Sequence, residues 1–393
     1  MRGEWRKYSD EQWMRLRLAV DTEVRPGSRI RYAAALVALA TPLAGLAVYL
    51  TPEQSLIPRL SKENDMKLQA IQGAAVAALC AGSALAQSSA VVAWGRIGEG
   101  QANVPAGLRT PVQISAGLYH TLAIDSTGRA FAWGWNSAGQ SDVPQISGSV
   151  RQVSAGWQHS VALSQAGRVY CWGVNTHGQC DVPAELPMVR SIGSGDEFTL
   201  AVTADGLVHA WGRNNQGQTT LPKQLANVVE VGGGNSHALA RRADGTVVAW
   251  GNDGFGASSV PADLSGVVQV VAGAWHSIAL KSDRTVVCWG RNQYGQLNVP
   301  TGLGNVVAIS GEHSNVTMVL LEDGSVRAWG QWNEIFTNPT PPSAITRWRT
   351  ISCGGYHAIG IPEAETCVGD LNGDGVIDGG DLSEVLSNWG ACP

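Results

Sequence analysis

The chain has 393 residues, and 48 of them are Gly, roughly 12% against an average of about 7%. Charged residues make up 15%, below the average of about 25%, and there are 15 Trp but only 4 Phe. This composition excludes a coiled coil, and the 44% hydrophobic content excludes a charged disordered chain. The net charge of −5 argues against nucleic-acid binding, because phosphate contacts need clustered cations.

The N-terminal region carries two export-like signals. Residues 32–50 form an apolar run just long enough to span a bilayer. Residues 66–86 have the layout of a secretory signal peptide, with a basic start, an Ala-rich apolar stretch and an A-x-A cleavage site before Gln87. We interpret residues 1–65 as an over-extended start, with translation beginning at Met66. The alternative is a membrane anchor at 32–50, and either interpretation predicts a secreted or cell-surface protein.

A repeat fills the middle of the chain. Trp-Gly recurs seven times, at intervals of 39 residues and once of 40, with the tryptophans at Trp94, Trp133, Trp172, Trp211, Trp250, Trp289 and Trp329. A second motif, Gly-x-x-His, runs out of phase with it and supplies His120, His159, His237, His276 and His357. The third repeat has Phe198 at the histidine position. A fixed period near 40 indicates a solenoid or a propeller.

Each repeat predicts short strands joined by tight turns. Alternating apolar residues, Asp-Gly turns and an Asn-x-x-Gly-Gln loop leave no room for a 10-residue helix, so one repeat is one propeller blade. The first Trp-Gly lacks a preceding Gly-x-x-His strand, and the last Gly-x-x-His lacks a following Trp-Gly. We therefore expect Val91–Gly95 to pair with strands at 351–361. The prediction is an all-β, seven-bladed β-propeller at 87–361, closed by its terminal strands, with a small EF-hand-like module after it.

These motifs resemble the regulator of chromosome condensation repeat family. The short, insertion-free unit is most similar to the bacterial members, including the secreted propeller-type β-lactamase inhibitory protein. The resemblance implies a propeller in the bacterial extracellular or periplasmic space. The eukaryotic founder promotes nucleotide exchange on a nuclear GTPase, an activity not expected of an exported chain.

The repeated histidines and tryptophans are expected to be structural. Equivalent positions in adjacent blades should lie about 10 Å apart, whereas zinc needs ligands about 2 Å from the ion. We therefore favour a histidine bonded to a neighbouring turn over a ring of metal ligands, and core tryptophans over a sugar-stacking platform. The sequence shows no Ser-His-Asp order, paired carboxylate motif or phosphate-cradling loop, so no enzymatic activity is predicted.

The two middle residues of Gly-x-x-His vary while their flanks stay fixed. By ring symmetry they gather on one rim, and mixed aromatic and polar residues are typical of protein-binding hot spots. The resemblance to the inhibitory protein implies partner-binding anchors at Tyr119, Trp157, Trp275 and Tyr356. The neighbouring loops add Trp135, Phe255, Tyr294 and Trp332. The alternative is that these aromatic residues only cap the channel.

The C-terminal segment at 366–393 predicts a calcium site. Counting Asp370 as position 1 places oxygen ligands at positions 1, 3, 5, 7, 9 and 12 and Gly375 at position 6, as in an EF-hand loop. The predicted Ca²⁺ ligands are Asp370, Asn372, Asp374, the carbonyl of Val376, Asp378 and Asp381. Carboxylates this close repel one another, so the loop needs a dication. The aspartate at position 12 matches dockerin loops.

This segment resembles half of a type I dockerin. A single copy implies attachment or surface sorting rather than docking to a cohesin. Cys367 and Cys392 bracket the loop and are expected to pair in an exported chain. The propeller keeps four cysteines whose pairing is left open, with a bond across one turn as one alternative: Cys171, Cys180, Cys288 and Cys353.

The sequence therefore predicts an exported, non-enzymatic, monomeric binding module. Its rim would recognise an extracellular protein, and its tail would bind Ca²⁺. The alternative functions are a carbohydrate-binding propeller associated with polysaccharide degradation and an enzyme with an unrecognised site. Nucleic acid is not expected as a partner, and membrane contact is expected only if residues 32–50 are an anchor.

Overall fold

A computed structural model describes residues 91–334 and 339–363. The expectations for the leader at 1–65 and 66–86, the calcium loop and the Cys367–Cys392 pair lie outside the described residues. Within the described ranges every regular element is a β-strand. No helix in that part of the chain is long and apolar enough to cross a membrane.

The strands form seven three-stranded antiparallel sheets, which we number as blades 1 to 7. Blade 1 contains β2 (Pro111–Ala116), β3 (His120–Asp125) and β4 (Ala130–Gly134). Blade 2 contains β5 (Val150–Ala155), β6 (His159–Ser164) and β7 (Val169–Gly173). Blade 3 contains β8 (Val189–Ser194), β9 (Phe198–Thr203) and β10 (Val208–Gly212). Blade 4 contains β11 (Val228–Gly233), β12 (His237–Arg242) and β13 (Val247–Gly251).

The remaining blades follow the same order until the ring closes. Blade 5 contains β14 (Val267–Ala272), β15 (His276–Lys281) and β16 (Val286–Gly290). Blade 6 contains β17 (Val306–Ser310), β18 (Val316–Leu321) and β19 (Val326–Gly330). Blade 7 combines both ends of the described chain: β20 (Trp348–Cys353), β21 (His357–Pro362) and β1 (Val92–Gly95).

Closure of the ring through blade 7 confirms the prediction. Strand β1 runs antiparallel to β21, with Trp94 opposite Ala358. The first strands of neighbouring blades contact one another in a complete circle, including β20 with β2. These seven strands therefore surround the central axis. Pairing the two ends removes the free edges that an open array would expose.

The Trp-Gly step belongs to the scaffold. All seven tryptophans are buried, and each indole Nε1 donates to a backbone carbonyl; for example, Trp172 bonds the Gln140 oxygen at 2.9 Å. The following glycine has a positive φ, 98° at Gly173, where a Cβ atom would lie 2.6 Å from the Gln158 carbonyl oxygen. Only glycine fits this position without strain. The core interpretation of the tryptophans is confirmed.

Side chains join the inner strands of adjacent blades. Gln152 in β5 donates to the carbonyl of Ile192 in β8 at 2.9 Å and accepts from the Ile192 N–H at 3.0 Å. Gln113 and Gln269 make the same two bonds to the next blade. An inner strand would otherwise present unpaired backbone groups between sheets. The glutamine amide therefore extends the hydrogen-bond ladder from blade to blade.

The hairpin turn between the second and third strands is held by a local acceptor. In blade 4, Asp244 Oδ1 accepts from the N–H and the hydroxyl of Thr246 at 2.9 and 2.7 Å. Blade 2 lacks this aspartate, and Ser164 Oγ accepts from the Arg168 N–H at 3.1 Å. The predicted Asp-Gly turns are thus present, and blade 2 satisfies its turn from a different position.

Candidate functional site

The repeated histidines form a ring of contacts between blades, which we call the histidine ring. Each is buried, and its Nε2 lies 3.0 to 3.2 Å from a hydroxyl on the next blade. The pairs are His120–Ser160, His159–Thr199, His237–Ser277, His276–Thr317 and His357–Thr121. The structural interpretation is confirmed, with one correction: the hydroxyl belongs to a strand of the next blade, not to a neighbouring turn.

Two blades replace the histidine, and their partners change with it. Phe198 of blade 3 packs in one apolar cluster with Ala238 of blade 4. Val316 of blade 6 packs in another with Ala358 of blade 7. Both partners of the missing hydrogen bond are therefore apolar, a change that can be nearly neutral because no buried polar group is left unpaired. Seven equivalent contacts thus close the ring with two chemistries.

Burial keeps the histidine ring uncharged. It lowers the pKa of each imidazole from 6.5, to about 3 for His120, His159 and His276 and to about 4 for His237 and His357. Loss of hydration is the main cause, since a buried charge loses its water. These side chains are neutral at physiological pH and act as hydrogen-bonding groups.

In six blades the first variable residue of the repeat step lies at one end of the central channel, and in blade 6 His313 lies there; we call these seven residues the mouth. The backbone there is joined around the axis; for example, Trp157 N–H donates to the Asp196 carbonyl at 3.3 Å. The mouth residues are Leu118, Trp157, Asp196, Asn235, Ala274, His313 and Gly355. Each differs from the others, although all except His313 hold equivalent positions in the repeat.

A cavity of about 330 Å³ opens at the mouth. It is lined by all four predicted anchors, together with polar mouth residues. Tyr119 and Tyr356 stack with ring centroids 5.2 Å apart, and burial together with Tyr356 raises the pKa of Tyr119. Trp157 is 37% exposed. The structure thus brings together residues from four blades, and their role in partner binding stays a prediction.

The second group of predicted residues divides. Trp135 meets Tyr119 edge to face at 5.6 Å, and Phe255 meets Trp275 in the same way. Tyr294 lies beside Arg291, whose guanidinium is 5.8 Å from the ring centroid. None of the three belongs to the cavity lining given by the described residues. Trp135 and Phe255 therefore pack against anchors outside the cavity, and Tyr294 packs against Arg291.

Trp332 is placed differently from the prediction. It is 1% exposed, and its indole donates to the Gly354 carbonyl at 3.2 Å. It packs with Trp94 and Trp348 in the core between blades, with only an edge toward the cavity. The loop after Trp329 lacks the Asn-x-x-Gly-Gln sequence that follows Trp133, Trp172, Trp211 and Trp289, so the loop equivalence on which the prediction relied does not hold there. Trp332 is a core residue, not an exposed anchor.

Three polar residues of the mouth were missed as site residues. His313 Nδ1 lies 3.1 Å from Asp196 Oδ1, a contact across the channel from blade 6 to blade 3. The Asn235 amide nitrogen, turned toward Asp196, donates to its two carboxylate oxygens at 3.1 and 3.2 Å. The signal was the single 40-residue interval: four residues separate Gly311 from Val316, where two separate Gly from His in the other repeats, and His313 is one of the four.

The four propeller cysteines are free thiols. Cys171 and Cys180 both donate to backbone carbonyls, so the alternative bond across their turn is not formed. Burial raises the pKa of Cys288 and Cys353 to about 12. Protonated, buried thiols are poor nucleophiles.

Comparison with known proteins identifies the repeat. Five segments match the regulator of chromosome condensation (RCC1) repeat: 112–140, 150–179, 189–218, 228–257 and 267–296. The middle of the chain therefore consists of RCC1-type repeats, which the structure arranges as a propeller. Propellers of this type are generally binding or regulatory rather than catalytic. A comparison with curated proteins finds no match.

Several solved structures share this fold. Prp20p from Saccharomyces cerevisiae superposes with a TM-score of 0.60 at 17% identity, covering 77% of this chain and 95% of Prp20p. Human WBSCR16 gives 0.56 at 18% identity, with coverage of 70% and 99%. The Physcomitrella patens receptor kinase CR4 ectodomain gives 0.54 at 20% identity, with coverage of 64% and 70%. At these identities the likeness establishes the fold alone.

Proposed function

We propose that this protein is an exported, non-enzymatic binding module whose mouth recognises a protein partner. The observation that carries the proposal is the convergence of Tyr119, Trp157, Trp275 and Tyr356 on one cavity. The repeat fixes their backbone but not their side chains, so blade packing does not explain the aromatic residues. Clustered Trp and Tyr beside a desolvated pocket are typical of hot spots in protein interfaces.

Two structures of one relative in fold support a protein partner. The Prp20p structure is described together with its binding properties to Gsp1p and histones, and a second structure contains Kap60 bound to yeast RCC1 (Prp20). The resemblance to the secreted β-lactamase inhibitory protein supports the same class of partner and the same repeat step. A monomeric propeller with one specialised face is consistent with both.

Affinity capture from the native extracellular fraction tests this proposal. The full chain should retain a partner that the double variant Trp157→Ala, Trp275→Ala loses. The matched control is Met188→Ala with Leu207→Ala, because both side chains are exposed and neither lines the cavity. Equal capture by the mouth variant would contradict the proposal. A glycan array on which the full chain binds sugar, and the mouth variant does not, would favour the carbohydrate-binding alternative.

We further propose that the tail at 366–393 binds Ca²⁺ and serves attachment or sorting. Its support is the ligand spacing in the sequence. Calorimetric titration of the full chain with Ca²⁺ should show one site, lost in Asp370→Asn with Asp374→Asn and kept in the exposed loop variant Asp263→Asn. Absence of binding to the unmodified chain, with Cys367 and Cys392 oxidised, would contradict it.

Export has its own test. N-terminal sequencing of the mature product should begin at Gln87, after the predicted cleavage site. A product that begins at Met1 and remains in the membrane fraction would favour the anchor at residues 32–50.

A further inference from the structure

We propose that the cavity at the mouth takes up one cationic side chain, a lysine or an arginine, of the protein partner and pairs it with Asp196. This inference rests on the proposed function and specifies its chemistry. It depends on three features of the cavity: a buried carboxylate, aromatic walls and a volume suited to a single side chain.

Asp196 is the acidic group of the cavity. Its side chain is 11% exposed, and one carboxylate oxygen lies 3.1 Å from His313 Nδ1. A buried carboxylate is costly unless hydrogen bonds or a cation compensate it. A carboxylate can accept about four hydrogen bonds, and His313 and Asn235 supply three. One acceptor position remains, and the described lining contains no Lys or Arg that could fill it.

Aromatic residues form the other walls. The π face of Trp or Tyr attracts a cation within about 6 Å of its centre. This rim already shows that preference: Arg96 lies 4.9 Å from the Tyr119 ring centroid, and Arg291 lies 4.8 Å from that of Phe255. Both arginines belong to the chain and lie outside the cavity lining. A partner's cation inside the cavity would make the same kind of contact with the Trp157 and Trp275 rings.

The size and polarity of the cavity exclude larger occupants. A volume of about 330 Å³ is at the lower end for ligand sites, which span about 300–1,000 Å³. It accommodates one long side chain but not a helix or a strand. The amides of Gln158 and Asn315 also line it and offer carbonyl acceptors to an ammonium or guanidinium group. A neutral sugar could use the amides and donate a hydroxyl to Asp196, but it would bring no positive charge to the carboxylate.

Titration of the full chain with capped amino acids tests the inference. The probes are N-acetyl-lysine amide and N-acetyl-arginine amide, with the neutral analogues norleucine amide and citrulline amide and the anionic glutamate amide. The readout is the NMR shift of the Trp157 and Trp275 indole N–H groups. We expect saturable binding of the cations only, weakened by salt because charge pairing is screened. Asp196→Asn should weaken it about tenfold, and the control Asp263→Asn should not.

A second variant tests the inference even if Asp196→Asn disturbs folding. Ala274 lines the cavity, so Ala274→Lys places a cation inside it and should block the free lysine probe while Asp196 is intact. Equal binding of norleucine amide, no binding of either cation, or no effect of Asp196→Asn would overturn the inference. Preferential binding of glucose would also overturn it. If the cations fail to bind while Trp157→Ala still abolishes partner capture, the inference fails and the proposed function stands.

Discussion

The histidine ring and the mouth are separated by one or two residues, yet they differ in what each blade contributes. In the histidine ring, every blade presents a group matched to the next blade, either His with Ser or Thr, or an apolar residue with Ala. At the mouth, six residues at equivalent repeat positions, together with His313 from the longer segment of blade 6, are seven different amino acids. A side chain between blades must pack against or hydrogen-bond to the next blade, whereas a side chain that faces the axis can vary from blade to blade.

The two blades without a ring histidine supply the cross-channel contact at the mouth. Blade 3 has Phe198 in the ring and Asp196 at the mouth, and blade 6 has Val316 and His313. In each blade a polar residue is present at the mouth where the ring position is apolar. The scaffold tolerates this exchange because Ala238 and Ala358 remove the partner hydroxyls that would otherwise be unpaired.

The largest expected difference between the histidine ring and the mouth is in how each affects the pH dependence of stability. The folded pKa values of the ring histidines, about 3 to 4, lie below the value of 6.5 expected when unfolded. The contribution of these neutral histidines to the free energy of unfolding is therefore complete above pH 6.5. It is lost as the pH falls toward 4, because the unfolded chain binds the protons first. Each histidine contributes about 1.4 kcal/mol per pH unit in that window. Urea unfolding at pH 7.5 and 5.5 measures the loss.

The apolar contact between Phe198 and Ala238 provides the control for this prediction. The double variant His159→Phe, Thr199→Ala reproduces the pairing of Phe198 with Ala238. It should reduce the pH dependence of the free energy of unfolding by the contribution of one histidine. The mouth variant Trp157→Ala should leave the dependence unchanged. An unchanged slope in the copied pair would contradict the assignment of acid sensitivity to the histidine ring.

Truncating a tryptophan should cost much more stability in the blade core than at the mouth. Trp211→Ala removes a buried indole and its bond to the Gln179 carbonyl, so we expect a loss of about 3–5 kcal/mol in the free energy of unfolding. Trp157→Ala at the mouth should change it by only about 0.5 kcal/mol, since surface changes have small effects. Chemical denaturation of both variants at neutral pH makes the comparison. Similar losses would show that the mouth also carries stability.

The repeat made most of the fold predictable. Seven blades, the core role of the tryptophans and the closure of β1 on β21 follow from the spacing of Trp-Gly and Gly-x-x-His. The partner of each histidine was not predicted, although the signal was present in the sequence. Ser or Thr directly follows the ring position in every blade that comes after a blade with a histidine, whereas Ala238 and Ala358 follow it in the two blades that come after Phe198 and Val316. Contacts 40 residues apart become visible only when consecutive repeats are compared as neighbours.

The site was predictable only as far as the repeat is regular. The four anchors hold equivalent positions, so symmetry placed them on one rim. Symmetry could not place His313, because it occupies an insertion, nor bury Trp332, because its loop departs from the others. Where the sequence leaves its own period, geometry depends on local packing, and only the structure supplies it.

The glutamine bonds between inner strands give a moderate effect. Gln152→Ala removes two hydrogen bonds and leaves the N–H and C=O of Ile192 without this partner, which should cost about 1–3 kcal/mol. The control is Gln165→Ala, an exposed turn position with no such role. Amide hydrogen exchange should show faster exchange at Ile192 in the first variant only. Unchanged protection there would mean that the blades are joined without the glutamines.

The smallest effect tests whether two turn chemistries are interchangeable. Ser164→Ala leaves the Arg168 N–H without its acceptor and should cost about 1 kcal/mol. Ala166→Asp alone should change stability by less than about 0.5 kcal/mol, because Ser164 already accepts from that N–H. Combined, the new aspartate should recover most of the loss, since Asp244 accepts from the equivalent N–H of Thr246 in blade 4. Additive effects in this cycle, measured by urea unfolding, would show that the repeats are not equivalent even in their turns.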